Sequence, residues 1–397
     1  MRNFLLVSFS PLREENYISG KACDHYNRFR EDFDIARSLG HNAHRFSIEW
    51  SRIEPEEGKF DEREIGHYRD VVRALRGRGI EPFVTLWHWT LPRWLRDQGG
   101  VLSPKFSLYF GRYVEKVVRA FNQDVTFWIV LNEPLVYTKI SYLEGRWPPQ
   151  KKSFFSFFRV SKNLIKAHKT AYGVIKNINS KSQIGIAHNM SFFEVERDNF
   201  VNRILKLLGE WRKNFAFLNA IRHHQDFIGF NYYSHYRVNF RFSKVVTEKT
   251  SDMGWSLYPP GIYSMLCALK KYNVPIFITE NGLADARDKE RSWFISEHLK
   301  WVVKAIQDGV NVRGYFHWSL LDNFEWSDGF WPRFGLVEVD YKTMKRKIRS
   351  SALVYKQIIE SARLPSDLSA KAIATAEAKE GEYKKIIDSS IPTQSQS

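Results

Sequence analysis

Short apolar runs of strand character recur along the chain, separated by longer amphipathic segments, and this alternation constrains the fold most. The runs are His44–Trp50, Pro82–Trp89, Val125–Leu131, Gln183–His188, Asp226–Tyr232, Pro275–Thr279 and Val312–Trp318. Helical patterns lie between them at Asp24–Leu39, Glu64–Arg78, Pro104–Asn122, Val160–Ile178, Ile262–Tyr272 and Lys289–Asp308. Ser103 before Pro104 reads as an N-cap followed by proline at the first helical position. Strands that alternate with helices build parallel βα units, because parallel neighbours need a crossover between them. Seven such strands, with Phe4–Phe9 (FLLVSF) as a candidate eighth, predict an α/β (β/α)8 TIM barrel whose first strand is degenerate or missing. A doubly wound sheet would carry a Gly-rich phosphate turn after its first strand, and no such turn stands there. The barrel is expected to occupy residues 1–363 and to close with a helix over Lys347–Ala362. Beyond Pro365 the composition shifts to Ala, Lys, Glu and Ser, so 364–397 reads as a polar tail, partly helical or disordered.

The chain has 397 residues, 43% of them hydrophobic, which is enough for a large core and excludes a disordered protein. The opening MRNFLLVSFSPL is too short an apolar run for a signal peptide, and no stretch reaches the ~20 apolar residues of a membrane span. Cys23 and Cys267 do not make a disulfide framework, so a reducing, cytoplasmic setting is expected. The net charge of +16 is spread along the chain, as at Arg76 and Arg78, Lys151 and Lys152, and Lys384 and Lys385. No segment joins a basic stripe to a binding motif, so a nucleic-acid partner is not expected. His223-His224 lacks a further ligand at metal spacing, and neither a metal nor a cofactor is expected. Oligomerisation stays open.

In a barrel every strand opens its C-terminal end onto one face, where the chemistry sits. One strand ends in Asn132-Glu133-Pro134 and another in Thr279-Glu280-Asn281-Gly282. Either glutamate alone could be a helix cap, but two at strand ends, each beside an Asn, fit capping poorly. Facing carboxyls are what glycoside hydrolysis requires: one protonated to release the leaving oxygen, one ionised to attack the anomeric carbon.

These residues belong to longer blocks: NAHRFSIEWSRI at Asn42–Ile53, EPFVTLWHWTLP at Glu81–Pro92, LNEP at Leu131–Pro134, NYY at Asn231–Tyr233, ITENG at Ile278–Gly282 and HWSLLDNFEWSDGFWPRFGL at His317–Leu336. With them the chain resembles the family-1 glycoside hydrolases, the β-glucosidase and β-galactosidase family, from about Ala22 to Tyr355. The resemblance implies a retaining β-glycosidase acting on terminal non-reducing β-glycosidic bonds of small glycosides or oligosaccharides. It implies Glu133 as acid/base, Glu280 as nucleophile, and Arg45 and Tyr233 as donors to the nucleophile. His88, Trp89, Asn132, Asn231, Trp318, Glu325, Trp326 and Phe334 match the sugar-holding set. Within it Trp318 is the aromatic floor, Asn132 grips the 2-hydroxyl and Glu325 binds outer hydroxyls through charge-assisted bonds. Trp255 matches the leaving-group subsite. Members acting on 6-phosphosugars carry Ser in place of Glu325, so the resemblance implies a plain glycoside as substrate.

The chain departs from the family pattern at its start, where a segment like SAxQxEG would place a Gln on the 3- and 4-hydroxyls. Val101 also stands where the family has Trp, and Leu135 where many members have an aromatic residue. The departure leads to an expectation of weak activity with poor discrimination at the 4-hydroxyl. It also motivates a rival reading, a degenerate barrel that binds sugar with little or no catalysis. Retention of both Glu133 and Glu280 weighs against that rival.

Overall fold

A computed structural model describes residues 18–239, 242–244 and 249–362. The strands are β1 (Ala43–Ser47), β2 (Glu81–Thr85), β3 (Phe127–Asn132), β4 (Gln183–Val195), β5 (Ile228–Val238), β6 (Phe242–Lys244), β7 (Ile276–Gly282), β8 (Val312–Trp318), β9 (Val337–Val339) and β10 (Arg346–Ile348). The helices up to the middle of the chain are α1 (His25–Ser38), α2 (Trp50–Ile53), α3 (Glu62–Arg76), α4 (Arg93–Asp97), α5 (Phe106–Phe121) and α6 (Pro134–Thr138). They are followed by α7 (Phe154–Ile178), α8 (Phe200–Glu210), α9 (Ala216–Ile221), α10 (Pro260–Leu269), α11 (Arg291–Gln307) and α12 (Ser350–Ser361). No helix of the described residues is long and apolar enough to cross a membrane.

All seven expected strands form, in the order β1-β2-β3-β4-β5-β7-β8, every neighbouring pair parallel. This is a (β/α)8-type barrel with one seam, since β1 and β8 do not pair among the described residues. Phe4–Phe9, the candidate for that place, lies outside the described residues, as does the 364–397 tail. Exposure marks the seam. Every residue of β1 is only half-buried, and β8 is half-buried or exposed throughout, whereas β3 is buried from Trp128 onward. A cavity of about 320 Å³ runs along the seam, walled by His41, Arg45, His88, Phe316, Trp318 and Tyr355 among others.

The barrel interior is plugged by rings. Phe83 of β2 stacks on Phe127 of β3 at 4.2 Å and meets Phe277 of β7 and Phe316 of β8 edge-on at 5.1 and 4.9 Å. Contacts between non-adjacent strands place these side chains inside the barrel, where edge-to-face packing suits the aromatic quadrupole.

Several expectations about element ends need correction. The helix foreseen from Pro104 begins at Phe106, because Gly100–Leu102 is a 3-10 turn and the Ser103 carbonyl accepts from Phe106 N–H at 3.1 Å. The helix foreseen from Val160 begins six residues earlier, where Ser153 Oγ accepts from Ser156 N–H at 3.2 Å. The last helix starts at Ser350, since Arg346–Ile348 pairs antiparallel with β9 in a short hairpin. Strands β4 and β5 run past the barrel rim and stay paired as far as Val195 and Val238.

Candidate active site

Both glutamates stand where a strand gives way to a loop on the C-terminal face. Glu133 leaves β3 in a left-handed conformation, φ 42° and ψ 56°, which is unfavourable for a residue with a side chain. Its N–H donates to the Ala187 carbonyl at 2.7 Å, and Pro134 opens α6 directly after it. The β3–β4 register shifts between Ile129 and Asn132, and β7 shifts against both β5 and β8 near Glu280. Such irregularities re-aim side chains at a rim. Gly282 sits where a Cβ would collide with the Trp318 carbonyl oxygen, which explains the glycine that follows Glu280-Asn281.

Glu133 and Glu280 are both buried. Glu280 accepts from Arg45 Nη1 at 2.5 Å on one oxygen and from the Tyr233 hydroxyl at 3.0 Å on the other. Arg45 is itself fixed: Nη2 donates to Asn132 Oδ1 at 2.5 Å and Nε to Thr85 Oγ1 at 3.1 Å. Glu133 Oε1 accepts from Asn231 Nδ2 at 2.8 Å and Asn189 Nδ2 at 3.0 Å. Burial, and then the charge of Glu280, push the Glu133 carboxyl up to about 7 against the opposing pull of the two amides.

His88 faces Asn132 Nδ2 through Nε2 at 3.0 Å and Ser47 Oγ through Nδ1 at 3.2 Å. Burial and the Arg45 charge hold it far below its usual value, so it is a neutral imidazole, with Nε2 accepting and Nδ1–H donating. Trp89 Nε1 donates to the Asn132 carbonyl at 2.8 Å. The Trp326 ring lies 5.4 Å from His88 and 4.8 Å from Trp89, and Trp318 lies 6.4 Å from His88. On the other wall Trp255 packs against Tyr233 at 5.8 Å and against Phe334 at 6.1 Å.

The barrel thus brings together all the residues singled out in the sequence. Two expectations change in detail. Asn132 spends its carbonyl oxygen on Arg45 and one amide hydrogen on His88, so one amide hydrogen remains for a sugar. Glu325 does not stand ready as a carboxylate: burial, Asp328, Glu280 and Glu133 push it up to about 8, so it is held protonated at neutral pH. Sequence reasoning missed Asn189, Lys213 and Trp147. Asn189 follows the apolar run IGIAH and carries the same signal as Asn132, a polar residue at a strand end. Lys213 donates to Asn189 Oδ1 at 3.2 Å from a π-helical turn, Trp211–Phe215, which no local pattern marks. Trp147 donates to Ser327 Oγ at 2.9 Å and lies against Trp89, the two rings tilted by 48° at 4.7 Å.

The sequence matches the model of glycosyl hydrolase family 1 over residues 10–206 and 213–364. It is 35% identical to beta-glucosidase A of Thermotoga maritima, covering 89% of this chain and 90% of that protein. It is 32% identical to a beta-galactosidase of Sulfolobus acidocaldarius, covering 86% and 84%. Among solved structures, a beta-glycosidase from Pyrococcus horikoshii superposes with a TM-score of 0.83 at 41% identity, covering 89% of this chain and 88% of that one. The beta-glucosidase from Thermotoga maritima in complex with deoxynojirimycin superposes with a TM-score of 0.80 at 35% identity, covering 86% and 88%. With this match and the paired carboxyls at the barrel mouth, the chain belongs to glycosyl hydrolase family 1.

Proposed function

We propose that Glu133 and Glu280 divide the work of a double displacement on β-glycosides. The observation that carries this is the contrast between them: Glu133 keeps its proton up to about pH 7, while a guanidinium and a phenol converge on Glu280. In the first step the Glu280 carboxylate bonds the anomeric carbon as the Glu133 proton passes to the departing glycosidic oxygen. The charge of Glu280 is then consumed in an ester, which removes a cause of the raised Glu133 value and readies Glu133 to accept a proton. In the second step Glu133 takes a proton from water, whose oxygen attacks the anomeric carbon on the face the leaving group vacated and displaces Glu280 from the opposite side, so the sugar leaves with its β configuration.

His88, Trp89, Asn132, Asn231, Trp318, Glu325, Trp326 and Phe334 form the sugar-holding wall, and Trp255 lines the exit toward the leaving group. A protonated Glu325 both donates to one hydroxyl and accepts from another. It stands where family members acting on 6-phosphosugars carry Ser, which favours plain glycosides. Relatives are named both beta-glucosidase and beta-galactosidase, and both sugars fall within the proposed substrate class. The catalytic unit is taken as residues 1–363, in line with the extent of the family match. Free thiols at Cys23 and Cys267 support a reducing, cytoplasmic setting. Hydrolysis of a panel of aryl β-glycosides, followed by proton NMR of the first-formed sugar, tests the reading. The β-anomer is expected. An α-anomer would remove Glu280 from the nucleophile's role, and sugar binding without turnover would reinstate the degenerate barrel.

A further inference from the structure

Helix α8 turns its apolar side to water. Phe200, Val201, Ile204, Leu207, Leu208 and, one residue past its end, Trp211 are all exposed, at the spacing of a single helical face. The inward side carries the buried Asn202, whose amide donates to the Arg197 carbonyl. The start of α7 continues the patch with Phe154, Phe155 and Phe158, Phe155 being 91% exposed. Arg212 joins the two, its guanidinium 5.0 Å from the Phe157 ring. An exposed apolar area of this extent marks an interaction surface.

The charges around it select the partner. Lys151, Lys152, Arg159, Lys162 and Arg197 are exposed, and among the described residues no ion pair engages them. Three nearby acids are already matched, Asp198 by Arg203 at 2.5 Å, Glu210 by Lys206 at 3.8 Å and Glu144 by Lys139 at 3.0 Å, while Glu196 accepts from Asn239 Nδ2 at 3.0 Å. A second copy docked through this patch about a two-fold axis would press the same cations together. An anionic lipid surface satisfies both features at once, taking Phe, Leu and Trp into the acyl boundary while Lys and Arg meet the headgroups.

We propose that α8 and the first turns of α7 form a peripheral docking face for anionic membranes. No helix of the described residues is long and apolar enough to cross a membrane, and peripheral binding needs none. Both helices follow strand ends of the catalytic face, and Lys213, two residues after Trp211, reaches Asn189 beside Glu133. The docking face therefore lies on the flank of the barrel mouth.

The test is sedimentation of the full chain with phosphatidylcholine vesicles containing about 30% phosphatidylglycerol, and with phosphatidylcholine alone. The expected result is binding that is at least about tenfold stronger to the anionic vesicles and weakens as salt rises. Phe155→Ser with Leu207→Ser should lower that binding at least about tenfold, with aryl-glycoside hydrolysis and melting temperature kept. Lys151→Glu with Lys152→Glu should weaken binding to the anionic vesicles and spare what little goes to neutral ones. Absence of binding to the anionic vesicles overturns the proposal, as does binding that the apolar variant leaves unchanged. A concentration-dependent dimer that the apolar variant turns into monomer assigns the face to a second copy instead. A large fall in melting temperature for that variant shows that the chain covers the face itself, and likewise overturns it. Loss of hydrolysis in the unmodified chain bears on the two glutamates and leaves vesicle binding to be read on its own.

Discussion

At Glu133 the protein holds a carboxyl against water, a neighbouring charge and its own backbone preference. The two roles separate by leaving group. Glu280→Ala removes the bond-forming atom, so turnover should fall by at least about 10⁴-fold on every substrate. Glu133→Ala removes only the proton, so poor leaving groups should lose about 10²–10⁴-fold while dinitrophenyl glycosides lose far less in the first step. Equal losses on both substrate types, read by pre-steady-state kinetics, would take the acid role from Glu133. The raised value has a second consequence. The folded state holds this proton up to about 7, against 4.5 ordinarily, so stability drawn from Glu133 is complete below 4.5 and is lost as pH rises through about 7. Glu133→Gln cannot ionise and still offers an oxygen to Asn231 and Asn189. Its melting temperature should therefore gain on the parent between pH 4.5 and 7 and keep that lead above. A constant difference across that range would mean that Glu133 titrates normally.

The elements that carry these side chains are braced from outside the site. The loop after β8, which presents Glu325 and Trp326, is anchored by Asp322, whose side chain is fully buried. Asp322 accepts from Arg349 Nη1 and Nη2 at 2.9 Å each, from Arg333 Nη1 at 3.2 Å and from Gly335 N–H at 2.9 Å. These bonds tie the loop to the segment before α12. Asp322→Ala strands the Arg349 guanidinium, which is buried, and should lower unfolding free energy by about 3–5 kcal/mol in a denaturant titration. Asp322→Leu with Arg349→Met, which removes both charges, should recover much of that loss. If the double variant is no better than the single, the network acts by loop geometry and not by charge. This brace was not legible in WSLLDNFEW, because its partners lie 11 to 27 residues further on. The β9–β10 hairpin escaped for a related reason, since three-residue strands show too few alternations to read.

Among the described residues the molecule as a whole is a barrel with a seam. Among the described residues β1 bonds only β2 and β8 bonds only β7, so each has an edge with unpaired peptide groups. The seam cavity is walled in part by Arg45, His88 and Trp318, which joins the weak place in the sheet to the sugar-holding wall. Hydrogen exchange should find the outward amides of β1 and β8 exchanging at least about 10²-fold faster than those of β3, which is paired on both sides. Equal protection would mean that another strand fills the seam. Barrel architecture was readable from sequence because short apolar runs and amphipathic spacers are local, and a chain that alternates them buries its strands between helices. The positions of Glu133 and Glu280 were readable for the same reason, since a polar residue at the end of an apolar strand arrives at the barrel mouth, whereas Arg45 and Tyr233, inside β1 and β5, were legible only through the family resemblance. Only the tertiary structure decided what those residues become there. The proton on Glu133 depends on Glu280, 147 residues away in sequence and adjacent in space, and the proton on Glu325 on both of them. The outward apolar face of α8 was also beyond reach, because periodicity marks an apolar side without telling which way it turns. Burial, charge proximity and orientation are properties of the assembled barrel, and no stretch of sequence contains them.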